Sequence, residues 1–165
     1  MDINLSFRRS TKEDYSIIEE LFMEGFGYRD DYLSDLDNRY ILAFIEGELA
    51  GIIGLAYNKV YCGVEIDYCC VRKKFRHHHI MTCLFEENLK GVKERVYCCA
   101  WRIGDNEQSN LQGILESFGF VKVIDQMTAF EKGYNCHVKD LNGCSFYKEE
   151  KCKCFEDLWI LEKQE

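Results

Sequence analysis

Leu5 and Phe7 alternate with polar neighbours, a period of two that predicts a first strand. Ile17, Ile18, Leu21 and Phe22 then recur at helical spacing. Ahead of them, Ser10 can cap the helix, and Glu13, three residues on, completes a capping box. Gly25 and Gly27 are expected to end it, and Tyr28 to Asn38 is acidic and aromatic, a short helix or a loop. Two apolar runs follow, Tyr40 to Ile45 and Leu49 to Tyr57, separated by Glu46-Gly47-Glu48, a hairpin signal with Gly47 in the turn. Val64 to Val71 alternates as a fourth strand. Ile80 to Gly91 is a helix with Met81, Leu84, Phe85 and Leu89 along one face. Val96 to Trp101 is a fifth strand, Asn110 to Phe118 a helix stopped by Gly119, and Phe120 to Ile124 and Gln126 to Glu131 further strand material. Tyr134 to Lys153 is a polar, cysteine-bearing insertion before a last strand within Phe155 to Glu162.

Hairpins come first and helical crossovers later. That order predicts an α/β (α+β) fold around one central, mixed, mostly antiparallel sheet flanked by helices, with a cysteine-rich loop before the last strand. No repeat, linker or low-complexity tract interrupts the chain, so residues 1–165 are expected to form a single domain.

Composition narrows the function. The net charge of -8 argues against nucleic-acid or anionic-membrane partners and mildly favours a cationic ligand. No apolar run approaches the roughly 20 residues of a membrane span. The opening MDINLSFRRSTKEDY is polar and charged, unlike a signal peptide, so a cytoplasmic protein is expected. Its 10 cysteines would then be reduced, serving as small buried hydrophobes, metal ligands or nucleophiles. Cys69, Cys70, Cys98 and Cys99 sit in strand pairs and Cys83 on a helix face, which fits burial, and no histidine is obviously placed to activate one. Oligomeric state is not legible, although a homodimer is the commonest soluble assembly.

The stretch Val71-Arg72-Lys73-Lys74-Phe75-Arg76-His77-His78-His79-Ile80-Met81 runs strand, basic turn, helix. A helix start offers unpaired N–H groups and a positive dipole end, a setting for phosphate. Arg72, Lys73, Lys74 and Arg76 add positive charge in an otherwise acidic chain. Consecutive histidines on a turn cannot easily converge on one ion, so a polyphosphate ligand suits this chemistry better than a metal.

This stretch resembles the pyrophosphate loop of the GNAT superfamily of N-acetyltransferases, Val-x-x-x-x-Arg-x-x-Gly-x-Gly/Ala between a strand and a helix. Arg76 falls on the family's arginine, whereas the two glycine positions fall on His79 and Met81. FRRSTKEDYSIIEELF, ILAFIEGELAGIIGLAY and LESFGFVKV are similar to the family's opening strand and helix, its central hairpin, and its late helix with Gly-Phe. Together these segments cover the chain as far as Lys132.

The resemblance implies an enzyme that transfers acetyl from acetyl-CoA to a primary amine by direct attack, with the thioester between splayed fourth and fifth strands. It implies that Cys69, Cys70 and Val71 hold the cofactor through their backbone, and that Arg76, His77, His78, His79, Ile80 and Met81 surround the phosphates. An asparagine before the late helix often serves the pantetheine arm, and Asn106 and Asn110 are the candidates. A tyrosine often supplies the acid, but its position here is Leu115. Glu65 and Asp67, at i and i+2 of the fourth strand, share one face; either that face is solvated, or one of the two serves as general base or acceptor-amine anchor. A non-catalytic CoA-binding or metal-binding protein of the same fold is the alternative. The acceptor is a small molecule or a protein amine: a polyamine, aminoglycoside or lysine would suit the acidic surface.

Cys136, Cys144, Cys152 and Cys154 cluster in the late insertion. Soft ligands on a polar loop fit structural Zn2+, although the spacing is loose. Unligated thiols and a disulfide remain open alternatives.

Overall fold

The computed structural model describes residues 4–26, 37–59, 62–102, 108–128, 147–148, 151–152 and 154–162. They fall into two compact units, Met1–Val92 and Lys93–Glu165. Every strand pairing within either unit is antiparallel among the described residues.

In the first unit β1 (Leu5–Arg9), β2 (Tyr40–Ile45), β3 (Glu48–Asn58) and β4 (Gly63–Val71) form a sheet in chain order. The β2–β3 turn is Glu46-Gly47, and both residues have positive φ, 50° and 83°, as a tight primed turn requires. Helix α1 (Tyr15–Phe26) lays Ile18, Leu21 and Phe22 against Tyr40, Leu42, Ile52 and Cys70, all fully or nearly fully buried. Helix α2 (Ile80–Leu89) buries Ile80, Leu84 and Phe85 and packs on β3.

Two local signals shift. Thr11, rather than Ser10, is the N-cap of the first helical turn, and its N–H donates to Asp14 Oδ2 at 2.8 Å where Glu13 was expected to close the box. Ser10 is claimed by the sheet: its N–H donates to the Tyr40 carbonyl at 2.9 Å, and its hydroxyl accepts from the Tyr40 N–H at 3.0 Å. Gly25 does not end α1, which runs on to Phe26. It marks close packing instead, since a Cβ there would lie 2.2 Å from Cys70 Sγ.

In the second unit β9 (Phe155–Leu161) lies between β5 (Val96–Arg102) and β6 (Val121–Thr128). The two segments expected at β6 are one strand with two register shifts, Lys122/Ile124 and Ile124/Met127. Asp157 is fully buried on β9 and compensated by Arg102, Nη2 to Oδ1 3.0 Å and Nε to Oδ2 3.0 Å, with Lys122 Nζ at 3.7 Å. Helix α3 (Gln112–Ser117) is shorter than the predicted segment. It ends in a Schellman motif: Gly119, φ 82°, donates to the Glu116 carbonyl, and Phe120 donates to that of Leu115, both at 3.0 Å. Phe120 is buried, which explains Gly-Phe after this helix. A small hairpin, β7 (Tyr147–Lys148) with β8 (Lys151–Cys152), falls inside the expected cysteine-rich loop. No described helix is long and apolar enough to cross a membrane.

Candidate functional site

Strand β4 carries a bulge in its middle. Ile53 pairs with Cys69 and Leu55 with Ile66, so the single residue Gly54 opposes two, Asp67 and Tyr68. Nothing bulky can stand at position 54, because a Cβ there would lie 2.7 Å from the Tyr40 ring. Across this narrow point Arg39 reaches Asp67. Its Nε donates to Oδ2 at 3.0 Å, and its Nη2 donates to the same oxygen. Glu65, paired with Ala56 beyond the bulge, accepts instead from the neutral Asn58 Nδ2. The two expected carboxylates thus differ in kind: Asp67 is held in an ion pair, and Glu65 is oriented by a neutral amide. Neither Arg39 nor Asn58 stood out in the sequence, since 28 and 7 residues separate them from their partners and no local pattern marks either.

Past the bulge, desolvation pushes the Cys69 thiol up to about 12 and the Cys70 thiol up to about 11. Both stay protonated at neutral pH, so neither is an activated nucleophile. Cys70 belongs to the core under α1, which fits the small-hydrophobe role.

The basic loop follows. A 3-10 turn, Lys73–Phe75, leads through extended Arg76 into His77, φ 67°, and His79, φ 59° and ψ 16°, the N-cap of α2. Of the two positions where the sequence resemblance expects glycine, the second, Met81, lies inside α2, whereas the first, His79, is left-handed, the conformation glycine adopts without strain. Histidine is among the side chains enriched there, so His79 fits at a modest cost, about 1–2 kcal/mol. The N–H groups of Ile80, Met81 and Thr82 lack intrahelical acceptors because they form the first turn of α2. Arg76 is exposed, and its Nε donates to the Val71 carbonyl at 3.2 Å.

The other basic residues divide. Arg72 is a structural tie, donating to the Leu49 carbonyl at 2.9 Å, to Glu24 at 3.1 Å and to Glu20 at 3.5 Å. Glu24 also accepts from the Lys73 N–H at 2.5 Å, and these contacts, the Lys73 amide first, hold its carboxyl below the usual range. Lys74 pairs with Glu48. Arg76 has no carboxylate partner among the described residues, and the Lys73 charge adds to the pull on Glu24. The first unit thus brings together Cys69, Cys70, Val71, Arg76, the three histidines, Ile80 and Met81 in one strand-turn-helix.

The remaining expected residues stand elsewhere. Asn110 belongs to the second unit, exposed in the turn before α3, and Leu115 is buried there. Asn106, Cys136 and Cys144 lie outside the described residues, and Cys152 is described only in its backbone within β8. Cys154 is partly buried. No group of three metal-ligating side chains occurs among the described residues.

Comparison with known proteins bears on this geometry. The family model of the acetyltransferase (GNAT) family matches residues 4–120, more than two thirds of the chain. Among solved structures, the ribosomal-protein-S18-alanine N-acetyltransferase of Escherichia coli superposes with TM-score 0.68 at 10% identity, over 98% of this chain and 95% of that one. Diaminobutyrate acetyltransferase of Paenibacillus lautus, in complex with L-2,4-diaminobutyric acid and coenzyme A, gives 0.68 at 15% identity, over 98% and 96%. A Pyrococcus horikoshii protein gives 0.59 at 20% identity over 72% of this chain, which spans only 44% of that longer one. No curated protein sequence matches the chain. At these identities the structural likenesses establish the fold.

Proposed function

The chain belongs to the acetyltransferase (GNAT) family, and from that premise we propose that it is an acetyl-CoA-dependent N-acetyltransferase acting on a primary amine. The observation that carries this is the loop after β4: headed by Arg76, left-handed at His79, the first of the family's two glycine positions, and opening directly into α2. That arrangement suits the phosphates of CoA. The amine nitrogen attacks the thioester carbonyl carbon, the carbon–sulfur bond breaks, and CoA leaves as the thiolate or thiol. Glu65 takes the amine's proton, directly or through water, since its partner is a neutral amide and its charge is available. Asp67 shapes the acceptor side while paired to Arg39. With Leu115 at the family's tyrosine position, the thiolate departs unassisted or takes a proton from water.

Asn106 and Asn110 are candidates for the pantetheine arm, and the cysteine insertion is a candidate for structural Zn2+ through Cys136, Cys144, Cys152 and Cys154. The working assignment is one cytoplasmic domain spanning 1–165 with no nucleic-acid or membrane partner, and with homodimerisation open to test by sedimentation. The acidic surface favours a cationic acceptor.

The test is incubation with acetyl-CoA and a panel of polyamines, aminoglycosides, lysine and peptide N-termini, read by mass spectrometry. An acetylated amine formed by wild type and lost in Glu65→Gln supports the assignment. Saturable acetyl-CoA binding with no acetylated product would favour the alternative, a non-catalytic cofactor-binding protein, for which the buried Leu115 at the acid position speaks.

A further inference from the structure

Three histidines crown the loop, and the last of them, His79, stands at the first of the family's two glycine positions. His77, His78 and His79 are all exposed. The end of the loop is fixed to α2, because the Cys83 N–H donates to the His79 carbonyl at 3.1 Å. Among the described residues, carboxylates meet the loop from two elements. On α1, Glu20 and Glu24 face Arg72, and Glu24 also holds the Lys73 amide. At the start of β3, Glu48 faces Lys74. The first turn of α2 carries no acidic residue. Arg76 and Lys73 are the loop's remaining basic side chains. Imidazole is the side chain whose charge ordinarily changes between pH 5 and 8, and the loop carries three of them in a row.

We propose that His77, His78 and His79 make cofactor binding proton-linked. A glycine loop meets phosphate through backbone N–H groups, which do not titrate. Here a Cβ and a ring stand at that position, and imidazolium can donate to phosphate oxygens where close backbone approach is lost. Bound phosphate favours the protonated ring, so affinity is highest below the ordinary histidine range and falls as pH rises through it. The inference rests on the cofactor assignment above and adds its regulation: the enzyme would load CoA more readily in mildly acidic conditions.

The experiment is calorimetric titration of the full chain with CoA at about pH 5.5 and about pH 8, at fixed ionic strength, for wild type and H77Q/H78Q/H79Q. The phosphomonoester of CoA itself titrates near pH 6, so the triple variant supplies the baseline. Wild type should tighten on acidification by about fivefold more than the variant, the effect of one or two exposed charge-assisted contacts. Parallel pH dependence in the two proteins overturns the proposal and leaves the cofactor assignment standing. Absence of CoA binding by wild type at both pH values overturns the assignment and the proposal together. If the triple variant fails to fold, histidine NMR titration of wild type decides: CoA should move the loop imidazole titrations to higher pH, and unchanged titrations refute the linkage.

Discussion

Replacing Gly25 by alanine should destabilise the protein, although alanine is the better helix former. A glycine-to-alanine change in a helix normally gains about 0.5–1 kcal/mol. At position 25 the added Cβ would lie 2.2 Å from Cys70 Sγ, against about 3.5–4.0 Å for an unstrained contact. Cys70 has one side-chain torsion to relieve the overlap, and it sits in the core cluster with Ile18, Leu21 and Phe22. Overpacking of that kind costs about 1–3 kcal/mol, so the net loss should be about 1–2 kcal/mol. In a Cys70→Ala background the thiol is gone, and the next atom of residue 70, its Cβ, is 3.6 Å away, an ordinary contact. There Gly25→Ala should stabilise by about 0.5–1 kcal/mol. Urea unfolding of the four proteins under reducing conditions reads the sign reversal directly. An effect of the same sign and size in both backgrounds would refute the claim that Gly25 sets how closely α1 lies on β4.

Three further outcomes follow from the site and its frame. The Arg8 guanidinium holds the Asp14 carboxyl down to about 2 from 3.8, and Arg8 is half exposed, so the pair is worth about 1–2 kcal/mol at neutral pH. That stability is present above about pH 4 and is lost as pH falls toward 2; the gap between wild type and Asp14→Asn in urea unfolding should close over that range. Glu65→Gln should lower kcat by about 100-fold with KM for acetyl-CoA unchanged, and wild-type kcat in that variant would remove Glu65 as the base. If the insertion holds structural zinc, inductively coupled plasma mass spectrometry finds one zinc per chain, lost in Cys152→Ser/Cys154→Ser; metal-free wild-type protein leaves the insertion's cysteines as thiols or a disulfide.

Elements with a local cause were legible in the sequence, and those with a distant cause were not. Glu46-Gly47 is a turn by its own conformational freedom, and Gly119-Phe120 closes α3 with bonds to residues three to five positions back. The loop histidines were placed correctly between a strand and a helix, although nothing in HHH signals that His79 takes the left-handed position. The β4 bulge escaped notice because its cause lies in β2 and β3: Tyr40 packs over Gly54, and Asp67-Tyr68 must share that one partner. Ser10 looked like a cap because the competing bond comes from Tyr40, 30 residues away. The basic cluster overstated the anion site for a similar reason, since Glu20, Glu24 and Glu48 neutralise Arg72 and Lys74 from other elements.

The most direct test of the account is calorimetric titration of acetyl-CoA into wild type and Arg76→Ala. The account predicts saturable binding by wild type, weakened about tenfold when the loop loses its exposed guanidinium, the equivalent of about 1.4 kcal/mol. No binding by wild type at millimolar acetyl-CoA would contradict it, and equal binding by both proteins would move the phosphates away from the loop after β4.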